Sequence, residues 1–346
     1  MAILLAGTVV ALLVLFFSTV KTCYPGCRCE EQSFGMFSSF SLTTVDCSRL
    51  GPSTIPVSIP FKTSLLDLSF NGIHSIESTV FSGPGYTTLS SLNLSNNLIS
   101  FMNGSVFSKL HYLEMLDLSW NSIQDLVEGF SGLLLAEVNL SHNRIHEINL
   151  DVFCVQDHGR PLSIDLSYNL LNSVIRRNLS QPLNIQSLDL TGNELTSVPN
   201  LRDISLRFLT LDDNPILVIH EQSFAGLKNL IYLSLSSMPE LHTIKPQSLQ
   251  ELQNLQVLDL SNNIKLKTLS AEVFSGLTAL QELNLSNCWV MSLPANILQL
   301  LPSIKSIALR EGVNCWRIRT QKQFQIHIGQ SKTEETLKCD GTGVIL

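Results

Sequence analysis

The chain has 346 residues, of which 44% are hydrophobic and 15% are charged. This composition is that of an ordered protein and argues against intrinsic disorder, and the length allows either two globular domains or one solenoid. The formal net charge of −7 at pH 7 argues against a nucleic-acid partner, because such partners attract basic surfaces.

Residues 1–22 form the first predicted element, a secretory signal peptide. Residues 2–17 carry no charge and are mostly Leu, Val, Ile, Ala and Phe, and small or polar residues follow as far as Thr22. We predict cleavage within residues 18–22, which would release a soluble, secreted chain. A signal anchor is the alternative, but about 16 apolar residues are short for a membrane span. No later run in the sequence reaches spanning length.

Residues 23–62 form the second predicted element, a cysteine-rich N-terminal cap. Four of the eight cysteines fall here, in the pattern Cys23-x3-Cys27-x-Cys29-x17-Cys47. Crowded cysteines behind a signal peptide indicate disulfides, although the spacing leaves their pairing open. A zinc site is the alternative, which the tight Cys27-x-Cys29 pair and the extracellular context disfavour.

Residues 63–312 contain about eleven copies of the phrase LxxLxLxxN, at intervals of 21 to 26 residues. A complete copy runs from Leu89 to Asn97. This period and pattern are those of leucine-rich repeats, which stack into a solenoid. The ninth position of the phrase falls at Asn71, Asn97, Asn121, Asn143, Asn169, Asn193, Asn214, Met238, Asn263 and Cys288, with a degenerate eleventh copy at Gly312.

The phrase also predicts the arrangement of each repeat. Alternation along a strand turns Leu92 and Leu94 inward and Asn93 outward, and the closing asparagine can satisfy backbone groups of adjacent turns. The predicted fold class is α/β, a leucine-rich-repeat solenoid with a curved parallel sheet on its concave face and an irregular or short-helical convex side. A recurring phenylalanine predicts a stacked aromatic row on the convex side. Its members are Phe81, Phe107, Phe130, Phe153, Phe224 and Phe274.

The outward positions of the strands carry the negative charge of the chain. The second, third, fifth, seventh and eighth positions of the phrases hold 11 acids and 3 bases, which leaves 18 of the 29 acids and 19 of the 22 bases elsewhere. Basic protein ligands would be steered to this concave face. The alternative is that aspartate at the fifth position simply belongs to the Leu-Asp-Leu-Ser form of the repeat. The charged residues are Asp67, Glu114, Asp117, Glu137, Asp165, Asp189, Asp212, Asp213, Asp259, Glu282 and Glu311, with Arg207, Lys305 and Arg310 as the bases.

Apolar and aromatic side chains on the same face are candidate anchors for a protein partner. They are Phe70, Met115, Trp120, Tyr168, Phe208 and Tyr232. The candidate ligand-binding residues are therefore Asp67, Phe70, Glu114, Asp117, Trp120, Glu137, Asp165, Tyr168, Asp189, Phe208, Tyr232 and Asp259.

Five Asn-x-Ser sequons predict N-glycosylation. Asn103 and Asn178 lie outside the predicted strands. Asn93, Asn139 and Asn284 project from the concave strands, where glycans would shrink the usable face.

Residues 313–346 form the last predicted element, a C-terminal cap and tail with Cys315 and Cys339. Both ends of a solenoid expose its core, so a disulfide-bonded cap is expected at each end. Cys288 stands at a ninth position, where we predict an unpaired structural thiol. Cys154 lies in an irregular repeat and is either unpaired or available for an intermolecular bond.

Catalysis is not predicted. The sequence has no Gly-rich phosphate loop, HExxH helix or nucleophile elbow, and its eight histidines are dispersed. We therefore predict a binding protein and no enzyme, with no cofactor and no metal site.

Several stretches outside the generic phrase resemble one family. They are Cys23-Tyr-Pro-Gly-Cys27-Arg-Cys29-Glu, Phe37-Ser-Ser-Phe-Ser-Leu-Thr-Thr-Val-Asp-Cys47, Gly83-Pro-Gly-Tyr-Thr-Thr-Leu89, Val198-Pro-Asn-Leu-Arg-Asp203 and Ala271-Glu-Val-Phe-Ser-Gly-Leu277. With the repeats and the Cys315/Cys339 cap, they resemble the small leucine-rich proteoglycans, and among these a class-IV-like group of secreted signalling modulators. The resemblance covers the chain from Cys23 to its end.

The resemblance implies an extracellular, matrix-associated modulator of growth-factor signalling. Its implied partners are bone morphogenetic proteins and their antagonist chordin, Frizzled-type receptors of Wnt signalling, and transforming and fibroblast growth factors. It also implies the disulfides Cys23–Cys29, Cys27–Cys47 and Cys315–Cys339, with little or no glycosaminoglycan. Two alternative functions are a structural matrix organiser that binds collagen and the ectodomain of a membrane receptor.

Overall fold

The computed structural model describes residues 23–34, 40–51, 55–56, 58–102, 105–126, 130, 133–154, 160–178, 183–290, 292–310, 313–321 and 333–339. The predicted signal peptide, the sequon at Asn103, Glu311 and Gly312 at the end of the degenerate phrase, and the tail after Cys339 lie outside these residues, as does the side chain of Arg310.

One 15-stranded sheet runs through the described chain, and its strands lie side by side in the order of the sequence. Neighbouring strands from β2 to β13 are parallel, whereas the pairs β1/β2, β13/β14 and β14/β15 at the two ends are antiparallel. This arrangement confirms the predicted leucine-rich-repeat solenoid. The strands are β1 Arg28–Phe34, β2 Phe40–Asp46, β3 Thr63–Asp67, β4 Ser91–Asn93, β5 Met115–Asp117, β6 Glu137–Asn139, β7 Leu162–Asp165, β8 Ile185–Asp189, β9 Phe208–Thr210, β10 Tyr232–Ser234, β11 Val257–Asp259, β12 Glu282–Asn284, β13 Ser306–Arg310, β14 Val313–Gln321 and β15 Thr333–Cys339.

The other elements of the described chain are short. Three small parallel sheets pair Ser75–Ile76 with Phe101–Met102, Glu147–Asn149 with Ser173–Ile175, and Val218–Ile219 with Thr243–Ile244. The helical pieces are the 3-10 turns Pro84–Thr88, Leu150–Phe153 and Ala271–Phe274 and the α-helical turn Ile297–Leu300.

The strand register explains the continuous core. Because the fourth positions of successive phrases pair with one another, their side chains form one inward row in which no member is more than 2% exposed. Such burial is the main source of stability in a solenoid, where each repeat packs only on its neighbours. The row is Leu66, Leu92, Leu116, Val138, Ile164, Leu188, Leu209, Leu233, Leu258, Leu283 and Ile307.

The ninth-position asparagines tie neighbouring repeats together. Nδ2 of Asn143 donates to the carbonyl oxygens of Leu118 (2.9 Å), Leu140 (3.0 Å) and Ser141 (3.2 Å), and its Oδ1 accepts the N–H of Ile123 (3.0 Å). One buried amide thus satisfies backbone groups of two repeats, as predicted.

Two natural substitutes reproduce parts of this pattern. The unpaired thiol of Cys288 donates from Sγ to the carbonyl oxygen of Leu260 at 2.8 Å, which is the bond that an asparagine amide would make to the preceding repeat. Burial raises the pKa of this thiol to about 11, so it stays protonated and able to donate. Met238 is fully buried, and its own N–H donates to Oδ1 of Asn263 at 2.9 Å.

The predicted aromatic row is confirmed in the first repeats. The rings of Phe81, Phe107, Phe130 and Phe153 follow one another with centroids 6.0, 6.0 and 5.2 Å apart. Phe224 and Phe274 are also buried, but Leu249 occupies the corresponding position of the repeat between them. The row therefore does not extend unbroken through all the repeats.

Both ends of the sheet carry hairpins that the sequence did not predict. At the N-terminal end, the antiparallel pair β1/β2 is held by disulfides Cys23–Cys29 and Cys27–Cys47, the pairing that the family resemblance implies. At the C-terminal end, Cys315 is buried and disulfide-bonded, and its backbone pairs in register with Cys339 of β15. The third disulfide, Cys315–Cys339, stays a prediction that this register supports.

Candidate functional site

Three rows of side chains define the outward surface of the sheet. The third-position row includes Phe208 and Tyr232, which are register partners on β9 and β10. The eighth-position row lies in the turns, three residues after the fifth positions. Along β3 to β12 the fifth-position row ends the strands, and it consists of Asp67, Asn93, Asp117, Asn139, Asp165, Asp189, Thr210, Ser234, Asp259 and Asn284.

The fifth-position row has a structural role of its own. Oδ1 of Asp117 accepts the N–H of Ser119 at 2.9 Å, and Asp259 accepts that of Ser261 at 2.8 Å. Asn93 makes the same bond to Ser95 at 2.9 Å. An amide oxygen therefore does this as well as a carboxylate oxygen, so the fold does not require the negative charge. A fifth-position aspartate alone is consequently no evidence of binding.

The seventh repeat departs from this scheme. Its fifth position is Thr210, and its acids are Asp212 and Asp213. Asp212 accepts from the hydroxyl of Ser234 at 2.6 Å and from the N–H of Ser236 at 2.7 Å, both in the next repeat. Asp212 thus accepts the N–H of Ser236, which in other repeats the fifth-position side chain of the same repeat would accept. Sequence reasoning missed this bond because it crosses from one repeat to another.

Three carboxylates, from the sixth, seventh and ninth repeats, act electrostatically on Tyr232. Burial raises the pKa of the Tyr232 hydroxyl, and the charges of Asp259, Asp212 and Asp189 raise it further, against a hydrogen bond with Ser234 that lowers it. Burial likewise raises the pKa values of Asp189 and Asp212. These charges are therefore partly withdrawn from water and close enough to act on one ring.

Phe208 completes this arrangement. It pairs in register with Tyr232 and is 42% exposed, and the Arg207 guanidinium lies 5.9 Å from its ring centroid. We call Asp189, Phe208, Asp212, Tyr232 and Asp259 the central cluster. It combines exposed aromatic surface with partly buried negative charge, which suits an aromatic-anchored contact with a cationic partner.

Aromatic residues of the eighth-position row form a separate stack. The rings of Trp120 and His142 lie 3.9 Å apart, and those of His142 and Tyr168 lie 4.6 Å apart. Each of these residues has a left-handed backbone with φ near 54°. The next member of the row is Gly192, where a Cβ would lie 2.6 Å from Tyr168 Cδ1. Glycine is needed there because the Tyr168 ring occupies the space of a side chain.

Some predicted anchors are already engaged within the chain. Trp120 and Tyr168 belong to the stack through His142, which sequence reasoning missed. The Arg49 guanidinium lies 4.8 Å from the ring centroid of Phe70. Only the exposed edges and outer faces of these rings remain for a partner.

The predicted balance of 11 acids and 3 bases on the face needs one correction. Arg160 forms an ion pair with Glu114, two repeats earlier in the sheet, so Glu114 is neutralised by a fourth base. The count by position missed Arg160 because it precedes the phrase of its own repeat. Of the other predicted acids, Asp67, Asp117 and Asp165 lie in the fifth-position row, and Glu137 lies exposed in the third-position row.

The raised pKa of Asp189 predicts a pH-dependent gain in stability for Asp189→Asn. The folded chain binds this proton more tightly than the unfolded chain, so the wild-type fold loses stability as pH rises from the ordinary aspartate pKa through the raised value. The variant keeps an oxygen to accept the N–H of Thr191 (2.9 Å) but has no charge to bury. It should unfold at a higher urea concentration than wild type at pH 7, and the advantage should vanish below about pH 4.

This comparison needs protein made without N-glycosylation, because the substitution creates an Asn-Leu-Thr sequon. An advantage of the variant that is equal at pH 7 and at low pH would show that burial of the charge is not its cause.

Two further properties concern the described residues alone. None of the helices among them is long and apolar enough to cross a membrane. No group of three or more His, Cys, Asp or Glu side chains in this part of the chain is placed to hold a metal ion.

Comparisons with known proteins agree with this architecture. The family model for the leucine rich repeat matches residues 62–123, 87–145, 204–252 and 239–289. Tsukushi of Danio rerio is 54% identical over 345 residues, covering 97% of this chain and 99% of the relative. Tsukushi of Gallus gallus is 50% identical over 333 residues, covering 95% and 90%. Lumican of Coturnix japonica is 32% identical over 233 residues, covering 64% and 61%. Because it is at least 50% identical to these two Tsukushi proteins over nearly its whole length, the chain belongs to the Tsukushi family of leucine-rich-repeat proteins.

Proposed function

We propose that this chain is a secreted modulator of growth-factor and morphogen signalling, which binds protein ligands or receptors through its concave face. The central cluster is the observation that supports this most. It presents Phe208 and Tyr232 beside three carboxylates that the solenoid holds in fixed positions. The predicted signal peptide at residues 1–22 supports secretion into the extracellular space or matrix.

A basic protein surface is the partner that this site suits. Negative charge along the face steers such a partner and raises its association rate, and rigid aromatic side chains supply contact area at low entropic cost. Bone morphogenetic proteins, chordin, Frizzled-type receptors, and transforming and fibroblast growth factors are the partners that the family membership suggests. Of these, a basic growth factor is the natural first probe.

The proposal is tested with mature chain purified from conditioned medium. The protein is used to capture extracellular proteins, which mass spectrometry identifies, and its affinity for a purified basic bone morphogenetic protein is measured at low and high salt. We expect capture of growth factors or their receptors and an affinity that falls with salt. Capture of collagen alone would favour a matrix organiser, and recovery only in the membrane fraction would favour a receptor ectodomain. Either result contradicts the proposal.

The role of charge is tested with Asp189→Asn/Asp212→Asn/Asp259→Asn, made without N-glycosylation. Asparagine keeps an acceptor oxygen at each position, as Asn93, Asn139 and Asn284 do naturally. The matched control Glu77→Gln/Glu194→Gln/Glu221→Gln removes three exposed charges away from the strands of the large sheet. We expect at least about a tenfold loss of affinity and a shallower salt dependence for the first variant only. Equal behaviour of the two variants would contradict a role for the central cluster.

A further inference from the structure

Three of the predicted glycosylation sites fall in the fifth-position row. Asn93, Asn139 and Asn284 end β4, β6 and β12, and each is partly exposed on the outward surface. Each side-chain oxygen accepts the N–H two residues later, at 2.9, 3.0 and 3.1 Å. The side-chain oxygen is thus the atom that binds the backbone. The amide nitrogen, to which a glycan attaches, takes no part in that bond.

The amide of Asn284 has one further contact, which a glycan can tolerate. Its Nδ2 donates to Oδ2 of Asp259 at 3.0 Å. An amide nitrogen has two hydrogens, and glycosylation replaces one of them. The bond to Asp259 can therefore remain.

The positions of the three sequons divide the face unequally. Asn93 and Asn139 are two strands apart, about 10 Å, whereas Asn139 and Asn284 are six strands apart, about 29 Å, at the usual spacing of about 4.8 Å. Glycans are bulky and solvated. Those on Asn93 and Asn139 would cover the surface of β3 to β6, and one on Asn284 would cover β12 and β13.

We propose that N-glycans on Asn93, Asn139 and Asn284 close both ends of the concave face, and that a basic protein ligand sits on the five strands β7 to β11 between them. This inference rests on the proposed function. None of the five sequons falls within β7 to β11. These strands and the turns after them hold the central cluster together with Asp165, so the open part of the face carries both carboxylates and exposed aromatic rings.

The occupant is identified by charge complementarity. Asp165, Asp189, Asp212 and Asp259 lie within the open strands or directly after them, whereas Arg207 is the one base at the outward positions counted for this segment. A cationic edge of a folded protein, about 29 Å wide at most, meets both the charge and the available width. The sequence predicts Phe70, Met115 and Trp120 as anchors for a protein partner. Under this proposal they lie on the covered part of the face and do not contact the ligand.

The sequence offers a direct test, because one substitution turns an aspartate of this row into a glycosylation site. Asp189→Asn creates Asn-Leu-Thr, and Asp67→Asn creates Asn-Leu-Ser on β3, outside the open strands. Both variants keep the side-chain oxygen that accepts the N–H two residues later. Peptide N-glycosidase releases the glycan and converts the asparagine into aspartate, so treatment regenerates the native residue at either position.

Both variants are secreted from a glycosylating host, and mass spectrometry measures the occupancy of the new and the native sites. Binding is measured to the same basic growth factor that the wild-type chain binds, before and after the enzyme, with wild-type chain treated in parallel. We expect glycosylated Asp189→Asn to lose at least about tenfold in affinity and to recover after treatment. Glycosylated Asp67→Asn should bind like wild type throughout.

Three results would overturn the proposal. They are unmodified Asn93, Asn139 and Asn284 in the secreted chain, undiminished binding by fully glycosylated Asp189→Asn, and an equal loss for glycosylated Asp67→Asn. Failure of the wild-type chain to bind any basic growth factor is a distinct result, because it involves no new glycan. That result overturns the proposed function together with the ligand position inferred from it.

Discussion

Asn143→Ala is expected to lower the free energy of unfolding by about 3 kcal/mol, because it leaves a buried N–H without its acceptor and opens a cavity between repeats. Oδ1 of Asn143 accepts the buried N–H of Ile123, and an alanine side chain has no atom that could accept it. The donor role is partly shared, since the carbonyl oxygens of Leu118 and Leu140 also accept from Asn121 and Asn169. Most of the loss should therefore come from the buried N–H of Ile123 and from the cavity.

Equilibrium urea unfolding, followed by circular dichroism, measures this loss. Asn143→Cys is the matched control, because its sulfur fills part of the cavity that alanine leaves and, as at Cys288, can donate to the carbonyl oxygen of the preceding repeat. The cysteine variant should lose clearly less stability than the alanine variant. If the two variants unfold at the same urea concentration as wild type, the asparagines are not what couples the repeats.

Removing the disulfide Cys27–Cys47 is expected to destabilise the chain by about 3 kcal/mol. The bond closes a 20-residue separation and anchors the N-terminal hairpin to β3, whose Asp67 carbonyl accepts the N–H of Cys47. Cys47 is also buried in the core, so the hairpin covers the first repeat. In Cys27→Ala/Cys47→Ala, the first repeats should become sensitive to protease before the rest of the solenoid, because each repeat packs only on its neighbours.

Limited proteolysis with mass spectrometry locates the first cleavage, and urea unfolding measures the stability. Cys23→Ala/Cys29→Ala removes a bond that closes only 6 residues, and it should cost about 2 kcal/mol. Identical loss in the two double variants would contradict the importance of the longer covalent loop. First cleavage near the C-terminal cap would contradict the role of the hairpin as a cover.

Much of the fold was predictable because its rules are local and periodic. Alternation along each strand sent Leu92 and Leu94 inward, and the repeat length placed every strand beside its neighbour. The amide chemistry of asparagine predicted the bonds that Asn143 makes. The hairpins at both ends were not predictable in this way, since each occurs once and has no period.

The candidate site was predictable only in part, because its decisive contacts cross between repeats. The phrase identified Asp189, Tyr232 and Phe208 as outward residues, but it did not show that fifth-position aspartates bind the backbone. Asp212 serves the following repeat, and Arg160 reaches Glu114 over 46 residues of sequence. Contacts of this kind depend on the curvature and register of the sheet, which positions in a phrase do not specify.

Hydroxyl-radical footprinting of the chain, alone and bound to a basic growth factor, tests directly whether the ligand sits on the concave face. We expect the labelling of Phe208 and Tyr232 to fall sharply in the complex. Labelling of Phe61, Phe101 and Trp289, which are exposed outside the central cluster, should not change. Unchanged labelling of Phe208 and Tyr232, with protection of Phe101 or Trp289 instead, would contradict the claim that the concave face binds the ligand.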